Sequence, residues 1–202
     1  KRKTIKYSQI GLADRLVVRL REPLAKRRVP ITEASASEDV VLPLLMNHTT
    51  LLPDNDDEKV KPVEYVFHDR ITAPQHALSF LLPLVNFLFY RPTADLGSKG
   101  PRALIVTATP ELVDIVTNLC ASLLPNKADI ELVASLGGRQ SRSVPSGKDF
   151  NRARIAIMTP DQFSNLQLAE DGGKGAILSR VHSFVLHHAD ALVAQDADLQ
   201  SL

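Results

Sequence analysis

The chain of 202 residues has a single cysteine, Cys120. That excludes an internal disulfide framework and any zinc site built from several thiolates, and it fits a reducing intracellular compartment better than secretion. Long hydrophobic runs are missing too. The longest, Leu78 to Tyr90, is interrupted by Ser79, Pro83 and Asn86; it is too short to cross a bilayer, so no membrane partner is expected. There is no internal repeat, and no nucleophile triad or carboxylate pair that would mark an enzyme of another kind. The sequence begins with Lys1 rather than Met, as a fragment or a processed form would.

Hydrophobic residues make up 44% of the chain, enough for one substantial core with an appended arm. The net charge of +1 hides an asymmetry. Residues 1–28 hold ten Lys/Arg against two acids, an excess of eight, which leaves the other residues at −7. Clustered cations of this kind contact phosphates by releasing counterions; a solvated basic extension or the remnant of a mitochondrial transit peptide has the same composition.

Leu12, Leu16, Leu20 and Leu24 recur every four residues between Gly11 and Lys26, the pattern of an amphipathic helix with one face on a core. A second helix is expected from Ser37 through Leu45, with Pro43 arguing against it. Residues 47–62 read as an acidic loop and Val63 to His68 as a short strand. From Ala77 the elements alternate: helix Ala77–Tyr90, strand Ala103–Thr107, helix Pro110–Leu124, strand Ile130–Ser135, strand Arg154–Met158, helix Pro160–Leu168 and strand Ser183–His187. Thr109, Pro110 and Glu111 specify the start of the third of these, as cap, first-turn proline and dipole complement. Its buried stripe is expected to be Leu112, Val116, Leu119 and Leu123. Short apolar strands between helices predict an α/β class with a mostly parallel sheet flanked by helices.

Five short motifs then occur in a telling order. They are Leu78-Ser79-Phe80-Leu81-Leu82-Pro83-Leu84-Val85; Ala103 through Thr107-Ala108-Thr109-Pro110-Glu111-Leu112; Gly137-Gly138; Thr159-Pro160; and Val185-Leu186-His187-His188-Ala189-Asp190. In order and spacing they resemble the first RecA-like lobe of the DEAD-box RNA helicases, over roughly Leu78 to Leu202. Leu42-Pro43-Leu44-Leu45 is similar to the end of that family's adenine-reading motif. The resemblance implies a basic arm and helix at 1–30, a helicase lobe at 31–202 with the 47–62 loop inserted, and a second lobe beyond Leu202.

The departures from the family bear on chemistry. A phosphate loop uses glycines to bring backbone N–H groups to the phosphates, a lysine to offset charge and a hydroxyl to hold magnesium. On the register the resemblance implies, Ala73 and Gln75 replace glycines, His76 the lysine and Ala77 the hydroxyl. His187 and His188 replace the Asp-Glu pair that positions magnesium and water, and neutral imidazole is a poor ligand for that hard ion. Asp190 matches an Asp that the family uses for a structural hydrogen bond. The expected result is a degenerate nucleotide site without catalytic residues, cofactor or metal. A transition-metal site on His76, His187 and His188, with His182 or Asp190 beside it, is the alternative reading of the histidines.

In the family the motifs matching Thr109, Gly137, Gly138 and Thr159 line the RNA backbone path, and Arg139 and Arg142 follow them here. Pro110, Asp161 and Gln162 interrupt that track, and the two glycines also suit an ordinary tight turn. The sequence thus leads to an inactive, helicase-derived scaffold for RNA or ribonucleoprotein surfaces, in ribosome or other particle assembly. Its protein partners are unspecified, and the basic start favours the mitochondrion over the nucleolus. A protein-only interaction module is the competing expectation.

Overall fold

The structure is a computed structural model that describes residues 9–21, 45–46, 66, 76–90, 100–139, 147–169 and 181–195. The chain divides into two compact units: Lys1–Leu96 together with Ser122–Pro125, and Gly97–Ala121 together with Asn126–Leu202.

In the first unit, helix α1 (Asp14–Arg21) buries Leu16, Val17 and Leu20, the expected stripe with Leu12 at its start. Helix α2 (His76–Val85) is apolar on nearly all sides, with Leu78, Leu81, Leu82 and Val85 at 1% exposure or less. Pro83 lies inside it and removes one backbone donor. The helix then continues as a π-helical turn over Asn86–Tyr90, where the sequence pattern anticipates only more α-helix. Asn86 is buried there, and its Oδ1 accepts a 2.7 Å hydrogen bond from the Ala13 amide just ahead of α1. Tyr90 Oη donates to the Leu123 carbonyl at 2.7 Å, and Arg19 Nη2 to the Pro125 carbonyl at 2.8 Å. Both partners are carbonyls at or just past a helix C-terminus, the groups that lack an intrahelical donor. The expected helix from Ser37, the acidic loop and the strand Val63 to His68 lie outside the described residues, apart from Leu45 and Met46, which are helical, and Val66, which is exposed and without regular structure.

The second unit is an α/β arrangement consistent with a RecA-like fold. Its elements are β1 (Ala103–Thr107), α3 (Pro110–Leu123, whose last residues join the first unit), α4 (Lys127–Ile130), β2 (Val133–Leu136), α5 (Gly147–Arg152), β3 (Ile155–Met158), α6 (Pro160–Ala169), β4 (Ser183–His187) and α7 (Ala189–Gln195). The four strands form an all-parallel sheet in the order β2-β3-β1-β4. The two central strands are buried at every position, while β2 and β4 are buried only in part. That gradient explains why β1 and β3 read as unbroken apolar runs. One sheet face carries Leu104, Val106, Ala134, Leu136, Ala156 and Met158, packed with Phe150 of α5 and Leu192 of α7. Ile105, Ile155 and Ile157, on the alternate positions, have no exposed surface. Each such side chain stabilises the fold by roughly 1.5–3 kcal/mol.

Three local expectations shift. Asn126 Oδ1 accepts the Asp129 amide at 3.0 Å and caps the short α4, so β2 begins at Val133 rather than Ile130. The buried stripe of α3 is Val113, Val116, Cys120 and Leu123, with Leu112 and Leu119 half-buried. Helices α5 and α7 carry too few periodic residues to announce themselves in the sequence.

Candidate nucleic-acid interface

In a parallel sheet every strand points the same way, so the residues that follow the strands collect along one rim. Thr109 follows β1, Gly137, Gly138 and Arg139 follow β2, Thr159 follows β3, and His187 and His188 close β4. Elements far apart in the sequence are thereby brought to one edge of the second unit.

The contacts along this rim are specific. Gly137 has φ +78°, and a Cβ there would lie 2.7 Å from Thr159 Oγ1 and 3.0 Å from Gln162 Cγ. A Cβ on Gly138 would meet the Asp114 carboxylate and, at 3.2 Å, Val113 Cγ1. Gly137 is therefore demanded by its left-handed φ and by the loop that follows β3, and Gly138 by close packing against α3. The tight-turn reading accounts for them without any ligand. Thr109 is likewise employed: its Oγ1 accepts the Leu112 amide at 3.3 Å, and its carbonyl accepts the Val113 amide at 3.1 Å and the Thr107 hydroxyl at 3.3 Å. This is the helix cap that the sequence predicts. Thr159 is 93% buried, and its carbonyl starts α6 by accepting the Phe163 amide at 3.0 Å.

Arg139 forms an ion pair with Glu111 in the first turn of α3. The Glu111 carboxyl is held below its ordinary 4.5 by its own backbone amide first, then by the Thr109 hydroxyl and by Arg139. A phosphate approaching Arg139 must compete with this carboxylate. Asp161 and Asp190 are exposed in the first turns of α6 and α7, where they complement the helix dipoles. Among the described residues, the rim thus sets four acids, Glu111, Asp114, Asp161 and Asp190, against one cation, Arg139. Glu111 was legible only as a dipole complement; its spacing of three from Asp114 places both on the side of α3 that meets the Gly137-Gly138 turn.

His187 pairs in register with Thr107, and its Nδ1 is buried. The two imidazoles stack edge to face with centroids 4.4 Å apart. His188 adopts φ +59°, a left-handed conformation unfavourable for a residue with a Cβ, and its carbonyl accepts the Ala191 and Leu192 amides that start α7. His76 opens α2 and Ala77 is buried in it, in the other compact unit. Ala73, Gln75 and Arg142 lie outside the described residues. Among the described residues, no group of three or more His, Cys, Asp or Glu is placed to hold a metal ion. Nor is any helix among them long and apolar enough to cross a membrane.

The basic arm is partly structural. Arg19 is committed to the Pro125 carbonyl, and Leu16 and Leu20 beside it are fully buried, while Arg15 is exposed.

No protein-family model matches the chain, and no curated protein matches it. The resemblance to the helicase lobe is one of motif order in the sequence, and the parallel sheet is consistent with a RecA-like fold.

Proposed function

We propose that the chain is a helicase-derived scaffold of the DEAD-box type that does not hydrolyse ATP and that acts by binding RNA or ribonucleoprotein surfaces, as in ribosome or other particle assembly. The observation that carries this reading is the end of β4. Phosphoryl transfer draws its charge stabilisation from magnesium held by carboxylates, and this strand ends on the stacked pair His187 and His188. The rim beside it carries the positions of the other motifs that follow β1, β2 and β3.

The test uses the whole chain. Calorimetric titration with Mg-ATP is expected to show no saturable micromolar binding, while fluorescence anisotropy with a short RNA shows salt-dependent binding that nucleotide leaves unchanged. Saturable Mg-ATP binding abolished by His76→Ala would overturn the inactive-site reading. The RNA reading fails if neutralising Lys1, Arg2, Lys3 and Lys6 together with Arg139→Gln and Arg142→Gln leaves affinity and salt slope unchanged. Substitution is preferable to truncating residues 1–28, because α1 supplies buried core.

A protein-only interaction module is favoured by one observation, the four acids against one arginine among the described residues of the rim. That reading expects the surface to repel RNA and to be read by a cationic protein partner.

A further inference from the structure

Helix α1 is short and lacks a side-chain cap of its own. Its eight residues fall below the length at which a helix holds by itself in water. Ala13, whose carbonyl accepts the Leu16 and Val17 amides that start the helix, offers no side-chain oxygen to the first turn. What fixes this start comes from 73 positions away, where Asn86 Oδ1 accepts the Ala13 amide at 2.7 Å. Asn86 is 1% exposed, and its Nδ2 donates to Met46 Sδ at 3.9 Å, so both ends of the side-chain amide are engaged.

Asn86 opens the π-helical turn and Tyr90 closes it. From the far end of the turn the Tyr90 hydroxyl reaches the Leu123 carbonyl, and from the later part of α1 the Arg19 guanidinium reaches the Pro125 carbonyl. These three hydrogen bonds close a circuit through α1, the π turn and Ser122–Pro125, the one piece of chain after Leu96 that belongs to the first unit. Leu16, Leu20, Leu88 and Leu123, on the same three segments, are at 2% exposure or less. A π turn bonds i to i+5 and so holds one residue more than an α turn, a form that is rare and often marks a site of function. Relaxation to α-helical bonding would rotate the residues beyond the turn by about 100°, the step of one residue. Asn86 and Tyr90, at its two ends, could not then both keep their partners.

We propose that the Asn86–Tyr90 turn is a conformational strap. In its π register it holds α1 and Ser122–Pro125 in place together; in an α register it releases both. Docking of α1 and order at the end of α3 are then one event, so whatever draws α1 off its seat also frees the last turn of α3. A local, cooperative opening of this kind is drawn from the less stable part of a fold and leaves the central sheet closed. The strap is independent of the proposed function, since it involves neither nucleotide nor RNA.

The experiment is hydrogen–deuterium exchange of the full chain, read by mass spectrometry at α1, at the last turn of α3 and at the central strands β1 and β3. Tyr90→Phe keeps the aromatic ring and removes only the hydroxyl. It is expected to speed exchange about fivefold in the last turn of α3 and by a matching factor in α1, with β1 and β3 unchanged. Asn86→Ala is expected to speed the same two segments together, and in the double variant the two factors multiply at both. Separate contacts give a different pattern: Tyr90→Phe loosens only the end of α3, Asn86→Ala loosens only α1, and that result would overturn the strap. So would wild-type exchange at both segments in Tyr90→Phe, or a rise in β1 and β3 as large as that in α1, which would make the effect one of global stability. Tyr90→Phe decides between these outcomes even where Asn86→Ala does not fold.

Discussion

At the end where the four parallel strands finish, acids outnumber cations among the described residues and the Gly137-Gly138 turn is closely packed; at the end where they begin, Arg154, Arg102 and His182 stand one residue before three adjacent strands. The finishing rim carries the motifs that resemble a helicase, yet its Arg139 is engaged by Glu111 and its glycines are occupied by packing. The starting rim carries no motif, yet it sets two arginines, Arg154 and Arg102, and the imidazole of His182 one residue before three adjacent strands. Motif order therefore bears on the fold, while the charges along each rim bear separately on what it can bind. The two need not coincide on one edge.

The comparison is most directly broken with glycines. Gly137→Ala on the finishing rim adds a left-handed alanine and a clash with Thr159, an expected cost of about 3 kcal/mol. Gly100, by the starting rim, has φ +110° but open space around it, so Gly100→Ala is expected to cost only about 1–2 kcal/mol of backbone strain. Cys120 supplies the measurement. It is the single thiol of the chain, and burial pushes it up to about 12, so it reacts only when the unit opens. Its alkylation rate in native buffer should rise on the order of a hundredfold for Gly137→Ala and clearly less for Gly100→Ala. Equal rises would mean that loop packing does not distinguish the rims.

His188 offers a smaller effect of opposite sign. Its left-handed φ costs roughly 1 kcal/mol or more, and glycine would remove that cost while adding unfolded-state entropy. His188→Gly is expected to stabilise by about 0.5 kcal/mol, slowing Cys120 alkylation about twofold. Faster alkylation would show that the His187–His188 stack contributes more than the backbone strain costs.

What was legible in the sequence follows from how local its cause is. β1 and β4 keep their expected bounds because continuous or alternating apolar residues are bounded by Pro101, Thr109 and a polar turn. The start of α3 was legible because Thr109 caps it from one residue away. β2 begins three residues later than its composition implies, because Asn126 draws Lys127–Ile130 into a helical turn. The stripe of α3 is turned by one residue, since Val113 and Cys120 rather than Leu112 and Leu119 meet the interior. Neither rim was legible as a charge pattern. Arg102, Arg154 and His182 are dozens of positions apart, and only the strand order β3-β1-β4 makes them neighbours. The tight-turn reading of Gly137 and Gly138 has a local cause, the φ of Gly137 and the close neighbours of both.

The smallest effect concerns whether the finishing rim is held by charge at all. The Glu111 carboxyl sits below its ordinary value in the folded chain. Proton linkage then fixes the sign: its contribution is present at pH values above the ordinary 4.5 and is lost as pH falls through the lowered folded-state value. Glu111→Gln should therefore lower the thermal midpoint slightly at neutral pH and leave it unchanged in acid, where wild type is also uncharged. The group is partly exposed, so added salt should shrink the neutral-pH difference. Circular dichroism melts of both proteins across that range check it. A difference that persists unchanged into acid would assign Glu111 to packing and hydrogen bonding alone. In that case Arg139 would be less strongly engaged by charge than its geometry implies.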